Sequence, residues 1–198
     1  MDKKEEIIIA ALDLASEKGL GNVSMAQIAE KAGIRKASLY NHFDSKEEMI
    51  SQMYVYLREN AKNQLSPGDI DISALVRDKS AYEVLMLAVN NYVKLNSDER
   101  MQKFYRFIYS QRPIDPVAAR IITEETNKMI AATKSLFYAL ATHRKISDDN
   151  IDTAAVSFAM TIHSMLDHKL DCRSCGEKFD STMIQDYIHW LCKQLGGQ

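Results

Sequence analysis

The chain has 198 residues, of which 46% are hydrophobic and 26% are charged, and its formal net charge at pH 7 is −2. This composition excludes an intrinsically disordered chain, and the slightly acidic balance excludes a protein that is positively charged all over. No apolar run approaches 20 residues, so we expect neither a membrane span nor an export signal, and three cysteines, an odd number, fit a reducing cytoplasm.

The first predicted helix runs from about Lys3 to Lys18 and ends at Gly19 and Gly21. The whole chain has only seven Gly and three Pro, and its long amphipathic runs show no strand alternation. We therefore expect an all-α fold with about nine helices in total.

Residues 24–49 predict two short helices joined by a sharp turn. Ser24 is suited to cap the first helix, and Gly33 follows it where the chain must stop and turn. In the second helix, Leu39 and Phe43 lie four residues apart and face inward, which leaves the polar residues between them outside. This spacing is typical of a helix-turn-helix, whose second helix reads DNA.

Positive charge is concentrated in the same region. Residues 31–46 hold four positive side chains and one negative side chain, which gives this window +3 and leaves −5 for the rest of the chain. A local positive surface is what binding to phosphates requires. The alternative is that these charges are only the solvated face of a helical bundle.

The same region closely resembles the N-terminal domain of the TetR family of bacterial transcriptional repressors. The resemblance rests on Ser24 and on a series of further residues: Ile28-Ala29, Ala32-Gly33-Ile34, Leu39-Tyr40, Phe43 and Ser45-Lys46-Glu47. It implies a recognition helix in the major groove, with contacts divided between base edges and phosphates.

The resemblance also assigns roles to single positions. Base reading is expected from the residues that open the recognition helix, Arg35, Lys36 and Ala37, and a guanidinium can engage a guanine edge with two hydrogen bonds. Asn41 suits either base or phosphate. Phosphate contacts are expected from Ser24, Ser38, Tyr40, His42 and Lys46. The family commonly has a small hydroxyl residue at the position of Arg35, so this helix lacks its usual cap, and a clamp on the DNA backbone is the alternative role for Arg35.

The next predicted helix begins at Ser45 and runs to about Gln64, where Ser66-Pro67-Gly68 breaks it. By resemblance it connects two domains and acts as a lever between them. We expect a helix-turn-helix DNA-binding domain at residues 1–46 and a ligand-binding and dimerisation domain at residues 47–198. The core of the small domain is thin, so we expect it to lean on the helices that follow.

Helical patterns recur along the rest of the chain, at about 81–96, 98–111, 116–143, 148–170 and 181–195. The last two are the predicted dimerisation helices, since two copies of them would form a four-helix interface. The expected interface residues are Ala155, Val156, Phe158, Ala159, Ile184, Tyr187, Ile188 and Leu191. The alternative is that these faces pack wholly within the monomer.

The middle of the chain is rich in aromatic and Met residues. Walls of this kind suit a small, largely apolar effector, and the resemblance implies a pocket among these helices. The candidate lining residues are Met101, Phe104, Tyr105, Ile108, Phe137, Phe158 and His163. The alternative for each is an ordinary core position, with His163 a hydrogen-bonded structural histidine.

The segment 168–176 carries a cysteine pair that family members do not generally have in the loop between the last two helices. Cys172 and Cys175 form a CxxC motif, and His168 lies four residues before the first of them, a spacing that can bind a metal. A closed zinc site needs four ligands and the sequence offers no second pair, so neither a metal nor a cofactor is predicted. A plain loop, a redox switch and a metal site are the three interpretations of this segment.

The sequence therefore predicts a homodimeric regulator of transcription, usually a repressor, that binds a near-palindromic operator in double-stranded DNA and is released by a small-molecule effector. The alternative is a helix-turn-helix regulator whose CxxC loop responds to redox state or metal. An enzyme is not expected, because the sequence has no Gly-rich loop after a strand, no HExxH and no nucleophile arranged with a histidine. A module that keeps the helix-turn-helix only as a scaffold would not be expected to retain the local positive charge.

Overall fold

The computed structural model describes residues 2–64, 72–97 and 99–197, and every regular element in these ranges is helical. The helices are α1 (Lys3–Lys18), α2 (Met25–Lys31), α3 (Lys36–Tyr40), α4 (Lys46–Gln64), α5 (Ile72–Arg77), α6 (Ala81–Leu95), α7 (Glu99–Gln111), α8 (Pro116–Thr142), α9 (Ile151–Cys175) and α10 (Thr182–Gln194). A short 3-10 turn at Leu20–Asn22 precedes α2. The predicted all-α fold is confirmed, and no described helix is both long enough and apolar enough to cross a membrane.

The helices form two compact units. Unit 1 contains Met1–Pro67 and Lys94–Glu125, and unit 2 contains Gly68–Val93 and Thr126–Gln198, so that α8 contributes residues to both. The predicted functional boundary after residue 46 is a different division of the chain and stays a prediction.

Unit 1 has one continuous hydrophobic core to which both the first four helices and α7 contribute. Helix α1 packs against α7 as well as against α2 and α4. Leu12, Leu39 and Met53 are buried in the same cluster as Phe104 of α7 and Ile121 of α8. The expectation that the small N-terminal domain leans on later helices is therefore confirmed.

Unit 2 has a core of its own, built from α5, α6, the later part of α8, α9 and α10. The rings of Phe137 and Phe158 lie 5.5 Å apart between centroids within it. Six of the residues predicted for the dimer interface are buried in the protomer itself: Ala155, Phe158, Ala159, Ile184, Ile188 and Leu191. The interface prediction is wrong for these six, because a side chain already buried in its own protomer has almost no surface left for a partner.

Helix α9 extends further than predicted. Helix α9 continues past the predicted end at Leu170 to Cys175, and Gly176 ends it in the left-handed conformation, with φ of +79°. Cys172 and Cys175 therefore lie in the last turns of a helix, and the loop prediction for them is wrong. Polar residues on the surface do not stop a helix, whereas a glycine with positive φ does.

Helix α5 was not among the predicted helices. It raises the number of α-helices in the described ranges to ten, against about nine predicted. The predicted break at Ser66-Pro67-Gly68 and the predicted helix start at residue 98 lie outside the described residues.

Candidate DNA interface

Helix α2 begins at a capping box. Ser24 Oγ accepts a hydrogen bond from Gln27 N at 3.3 Å, and Gln27 Oε1 accepts one from Ser24 N at 2.8 Å. These bonds satisfy two backbone donors at the start of the helix, while Ile28 and Ala29 bury its inner face. The cap predicted at Ser24 is confirmed.

Gly33 makes the turn between α2 and α3. Its φ is +66°, in the left-handed region that favours glycine. Gly33 N donates to Glu30 O at 3.0 Å and Ile34 N donates to Ala29 O at 2.9 Å, which closes the end of α2. Ile34 then packs against the core of unit 1, so the turn fixes the direction in which the chain enters α3.

Helix α3 is held on the core by two side chains. Leu39 is fully buried, and Phe43, which follows the end of the helix, is buried beside it. Both belong to the core of unit 1. Five residues are too few for a helix to be stable alone, so this packing is what keeps α3 ordered.

The rest of α3 and its flanks face away from that core. Tyr40 is 44% exposed although it is a large aromatic side chain. Arg35 is the N-cap residue, and in the described structure its side chain makes no capping hydrogen bond, as expected from the missing hydroxyl residue. The predicted DNA contacts in this segment fall into two groups by exposure. Ser38 and His42 are half-buried, and the others are exposed: Arg35, Lys36, Ala37, Tyr40 and Asn41.

Lys46 differs from the other predicted contacts because its ammonium group is partly buried in the protein. Its Nζ donates to Val23 O at 2.7 Å, which ties the start of α4 to the segment before α2. Burial lowers the pKa of Lys46, and the negative charges of Glu47 and Asp115 oppose that shift. The phosphate contact expected of Lys46 stays a prediction.

Two lysines of α1 that the sequence analysis did not select also lie against the helix-turn-helix. Lys3 Nζ donates to Ala32 O at 3.3 Å, and Lys4 Nζ lies 5.5 Å from the centroid of the Phe43 ring. The signal in the sequence was a pair of adjacent lysines. Their relevance depends on the fold, because 29 residues separate Lys3 from Ala32 along the chain.

The chain is similar in sequence to two transcriptional regulators. Over 114 residues, 54% of this chain, it is 31% identical to the "Biofilm operon icaADBC HTH-type negative transcriptional regulator IcaR" of Staphylococcus aureus. Over 51 residues, 26% of this chain, it is 41% identical to the "HTH-type transcriptional repressor KstR2" of Rhodococcus jostii. The matched regions span 60% of the length of IcaR and 25% of the length of KstR2.

The fold is also similar to that of a regulator whose structure has been solved. The "Flavonoid-responsive Regulator FrrA" superposes with a TM-score of 0.70 at 25% identity, over 98% of this chain and 94% of that chain. The profile of the "Bacterial regulatory proteins, tetR family" matches residues 7–53, the segment that contains α2, the Gly33 turn and α3. The N-terminal segment of the chain therefore carries the helix-turn-helix pattern of the TetR family. The matched segment ends inside α4, so the family pattern covers α2, the turn at Gly33, α3 and Lys46.

Glu125 of α8 is the centre of a polar cluster in unit 1. Its carboxylate accepts hydrogen bonds from the phenols of Tyr54 and Tyr105, the second at 3.0 Å, and pairs with the guanidinium of Arg58 at 2.9 Å. The side chains of Arg58 and Glu125 are only 19% and 14% exposed. Burial and the hydrogen bond to Glu125 raise the pKa of Tyr54. The cluster joins α4 to α7 and α8 through directed bonds.

The candidate effector-pocket residues belong to two different cores. Those of α7, Met101, Phe104 and Ile108, are buried in the core of unit 1, and Tyr105 is half-buried beside them. The remaining three are in unit 2, where His163 Nδ1 lies 3.3 Å from the hydroxyl of Tyr92. The other two are the buried core residues Phe137 and Phe158. Their role in effector binding stays a prediction.

The CxxC segment offers no converging set of metal ligands. In the described part of the chain, no three His, Cys, Asp or Glu side chains are grouped so that they could hold a metal ion. Cys172, Cys175 and Cys192 all carry free thiols. The metal-responsive interpretation of this segment therefore has no support in the side-chain positions.

Proposed function

We propose that this protein is a transcriptional repressor without catalytic activity, which binds a near-palindromic DNA operator in the cytoplasm as a homodimer and is released by a small-molecule effector. The observation that carries the proposal is the two-sided character of α3. Leu39 and Phe43 bury one side of it, whereas Arg35, Lys36 and Tyr40 stand exposed on the other. A short helix held in this way after a tight turn is the arrangement that enters a major groove.

The proposed contacts divide by position along the interface. Arg35, Lys36 and Ala37 open α3 and read base edges, and Asn41 reads a base or holds a phosphate. Lys4 adds positive charge to the same region, whereas the charge of Lys3 is paired with Glu6 at 2.7 Å. Phosphates are held by Ser24, Ser38, Tyr40, His42 and Lys46. The names of the relatives, a negative regulator and a repressor, support repression as the outcome of binding.

Dimerisation is proposed through the outer faces of α9 and α10. On α10, Met183, Tyr187 and Trp190 follow helical spacing along one stripe, and Trp190 is 54% exposed. Met160 on α9 is also an exposed large apolar residue. Apolar side chains exposed at this density are typical of an interface between protein chains.

Release by an effector is proposed because FrrA, which shares the fold over nearly the whole chain, is named as flavonoid-responsive. Helix α4 begins directly after the DNA-reading segment and is bonded through Tyr54 and Arg58 to Glu125. A small, largely apolar effector that displaces these bonds would free α4 to move relative to α7. Such a movement would shift α3 and weaken operator binding.

The test is binding to labelled DNA from upstream of the protein's own coding sequence, measured by fluorescence anisotropy across a salt series. We expect affinity to fall steeply with salt, because each phosphate contact contributes a slope of about −0.9 in log affinity against log salt concentration. Lys36→Ala should weaken binding, whereas Lys94→Ala, which removes the same charge from an exposed site on α6, should not. A flat salt response, or equal losses in the two variants, would contradict DNA binding through α3.

A further inference from the structure

We propose that Cys172 and Cys175 form a reversible disulfide at the C-terminal end of α9, with a hydroperoxide as the oxidant. The proposal is independent of DNA binding, since it concerns the chemistry of two thiols in unit 2. His168, Cys172 and Cys175 follow one another at i, i+4 and i+7, which places them along one stripe of the helix.

The backbone brings the two cysteines within disulfide range. Residues three apart in an α-helix have Cα atoms about 5 Å apart, which lies inside the range that disulfides span. Their Cβ atoms are about 5 to 6 Å apart in a regular helix, so the bond requires the last turn to tighten by an ångström or two.

The end of α9 is the part of the helix that can tighten. The next residue, Gly176, already leaves the helix with φ of +79°. The carbonyl oxygen of Cys172 accepts hydrogen bonds from Gly176 N and from Glu177 N, the second at 2.8 Å. Cys175 Sγ donates a weaker bond to that same oxygen at 3.4 Å. Rotation of the Cys175 side chain therefore loses one weak contact and leaves the cap intact.

The two thiols have different surroundings, which assigns them different roles. Cys175 is exposed and is the sulfur that an oxidant in solution reaches first. Cys172 is only 4% exposed, and its Sγ lies 3.6 Å from His168 Nε2 and 3.8 Å from Nδ1. Burial raises the pKa of Cys172, so this thiol needs a base to become a nucleophile, and the exposed imidazole of His168 is in contact with it.

The reaction has two steps. The Cys175 thiolate attacks the hydroperoxide, so that an S–O bond forms, the O–O bond breaks, and an alcohol or water leaves with a proton from solvent. The Cys172 thiol then gives its proton to His168 and attacks the Cys175 sulfur. The S–S bond forms, the S–O bond breaks, and the departing hydroxide takes the proton from His168 to leave as water. The dithiol loses two electrons and the peroxide gains them.

Cys192 is a control thiol within the same chain. It lies on α10, is buried in the core of unit 2, and burial raises its pKa. We expect it to stay reduced under conditions that oxidise the other two.

The experiment treats the full-length protein with hydrogen peroxide, alkylates it under denaturing conditions, and counts the modified thiols by mass spectrometry. We expect the count to fall from three to one and to return to three after dithiothreitol. Trypsin cleavage at Lys169, Arg173 and Lys178 should then give the peptides 170–173 and 174–178 joined by a disulfide. On a denaturing gel without reductant, the oxidised protein should run as a single chain, because the disulfide lies within one chain.

Three variants separate the roles. In Cys192→Ser, peroxide should still remove two thiols. In Cys175→Ser, a change at an exposed site, neither of the two remaining thiols should form a disulfide. His168→Ala should slow disulfide formation at least about tenfold without changing its final extent, and added imidazole should restore the rate. Three alkylated thiols after peroxide treatment, over-oxidation of Cys175 with Cys172 still free, or a disulfide between two chains would each overturn the proposal. An unchanged rate in His168→Ala would overturn the part assigned to His168.

Discussion

Arg35 is the residue at which this chain departs from the pattern that its resemblance to the TetR family implies. It occupies the N-cap of α3 with φ of −73° and ψ of 146°, and its side chain is exposed. The hydroxyl group of a Ser or Thr at this position would accept a hydrogen bond from a backbone N–H of the first turn and so cap the helix. An arginine leaves the helix start without a cap and in exchange places a planar group with several donors at the end of α3 that is proposed to enter the major groove.

We expect Arg35→Ala to relax base preference at one operator position by about 1 to 3 kcal/mol, because a guanidinium paired with a guanine edge discriminates by that amount. Affinities for single-base operator variants would measure the effect. Arg77→Ala, which removes an exposed arginine from the end of α5, should leave the same affinities unchanged. A uniform loss on all sequences with a shallower salt dependence would place Arg35 on a phosphate instead.

Gly33 is the second residue whose backbone matters to the interface. An added Cβ would meet no atom within 4 Å, so the cost of Gly33→Ala comes only from its φ of +66°. We expect a loss of about 1 to 2 kcal/mol in the free energy of unfolding, measured by urea denaturation.

Gly21 supplies the matched control for that change. It also has open space around it, but its φ lies outside the left-handed region. Gly21→Ala should change stability by less than about 0.5 kcal/mol. Equal effects of the two substitutions would show that the turn does not depend on the left-handed conformation of Gly33.

At the scale of elements, the bonds that hold α4 to α7 and α8 converge on Glu125. We expect Glu125→Gln to lower the free energy of unfolding by about 2 kcal/mol, since it leaves the largely buried Arg58 guanidinium without its carboxylate. Asp152→Asn breaks the Lys134–Asp152 pair, whose side chains are 36% and 58% exposed, and should cost less than about 1 kcal/mol. Similar losses in the two variants, measured by urea denaturation, would argue against a special role for the Glu125 cluster.

The sequence predicted most helices because their signals are local. The cap at Ser24, the turn at Gly33 and the inward pair Leu39 and Phe43 each depend on residues a few positions apart. The end of α9 was placed too early because the apolar pattern fades after Leu170, although the helix continues through polar residues to its glycine cap. Local pattern shows which face of a helix is apolar, but it does not show where a surface helix stops.

The contacts that were missed depend on the fold. Glu125 is 71 residues from Tyr54 and 20 from Tyr105, and no local pattern joins them. Six residues predicted for the dimer interface are buried for the same reason, because the stripe of α9 or α10 that stays exposed depends on what unit 2 already covers. Ile184 and Ile188 face the core, whereas Met183 and Trp190, one stripe further round, are exposed.

At the scale of the whole molecule, the proposed operator has two halves and therefore requires two chains. We expect the 22.5 kDa chain to sediment as a dimer at micromolar concentration and Trp190→Asp to shift it toward monomer, since the change puts a charge into the proposed apolar interface. Ile114→Asp, at an 80% exposed site between α7 and α8, should leave the dimer intact. A wild-type chain that stays monomeric would rule out the dimer.

The small number of anchors on α3 has a consequence for how such a protein diversifies. Within residues 35–43, only Leu39 and Phe43 are buried in the core. The exposed positions of this segment therefore contribute little to folding. Substitutions at exposed helix sites commonly change stability by less than about 0.5 kcal/mol. With the DNA contacts proposed above, duplicated copies of such a gene would acquire new DNA targets by exchanging Lys36 or Asn41, without passing through a misfolded intermediate.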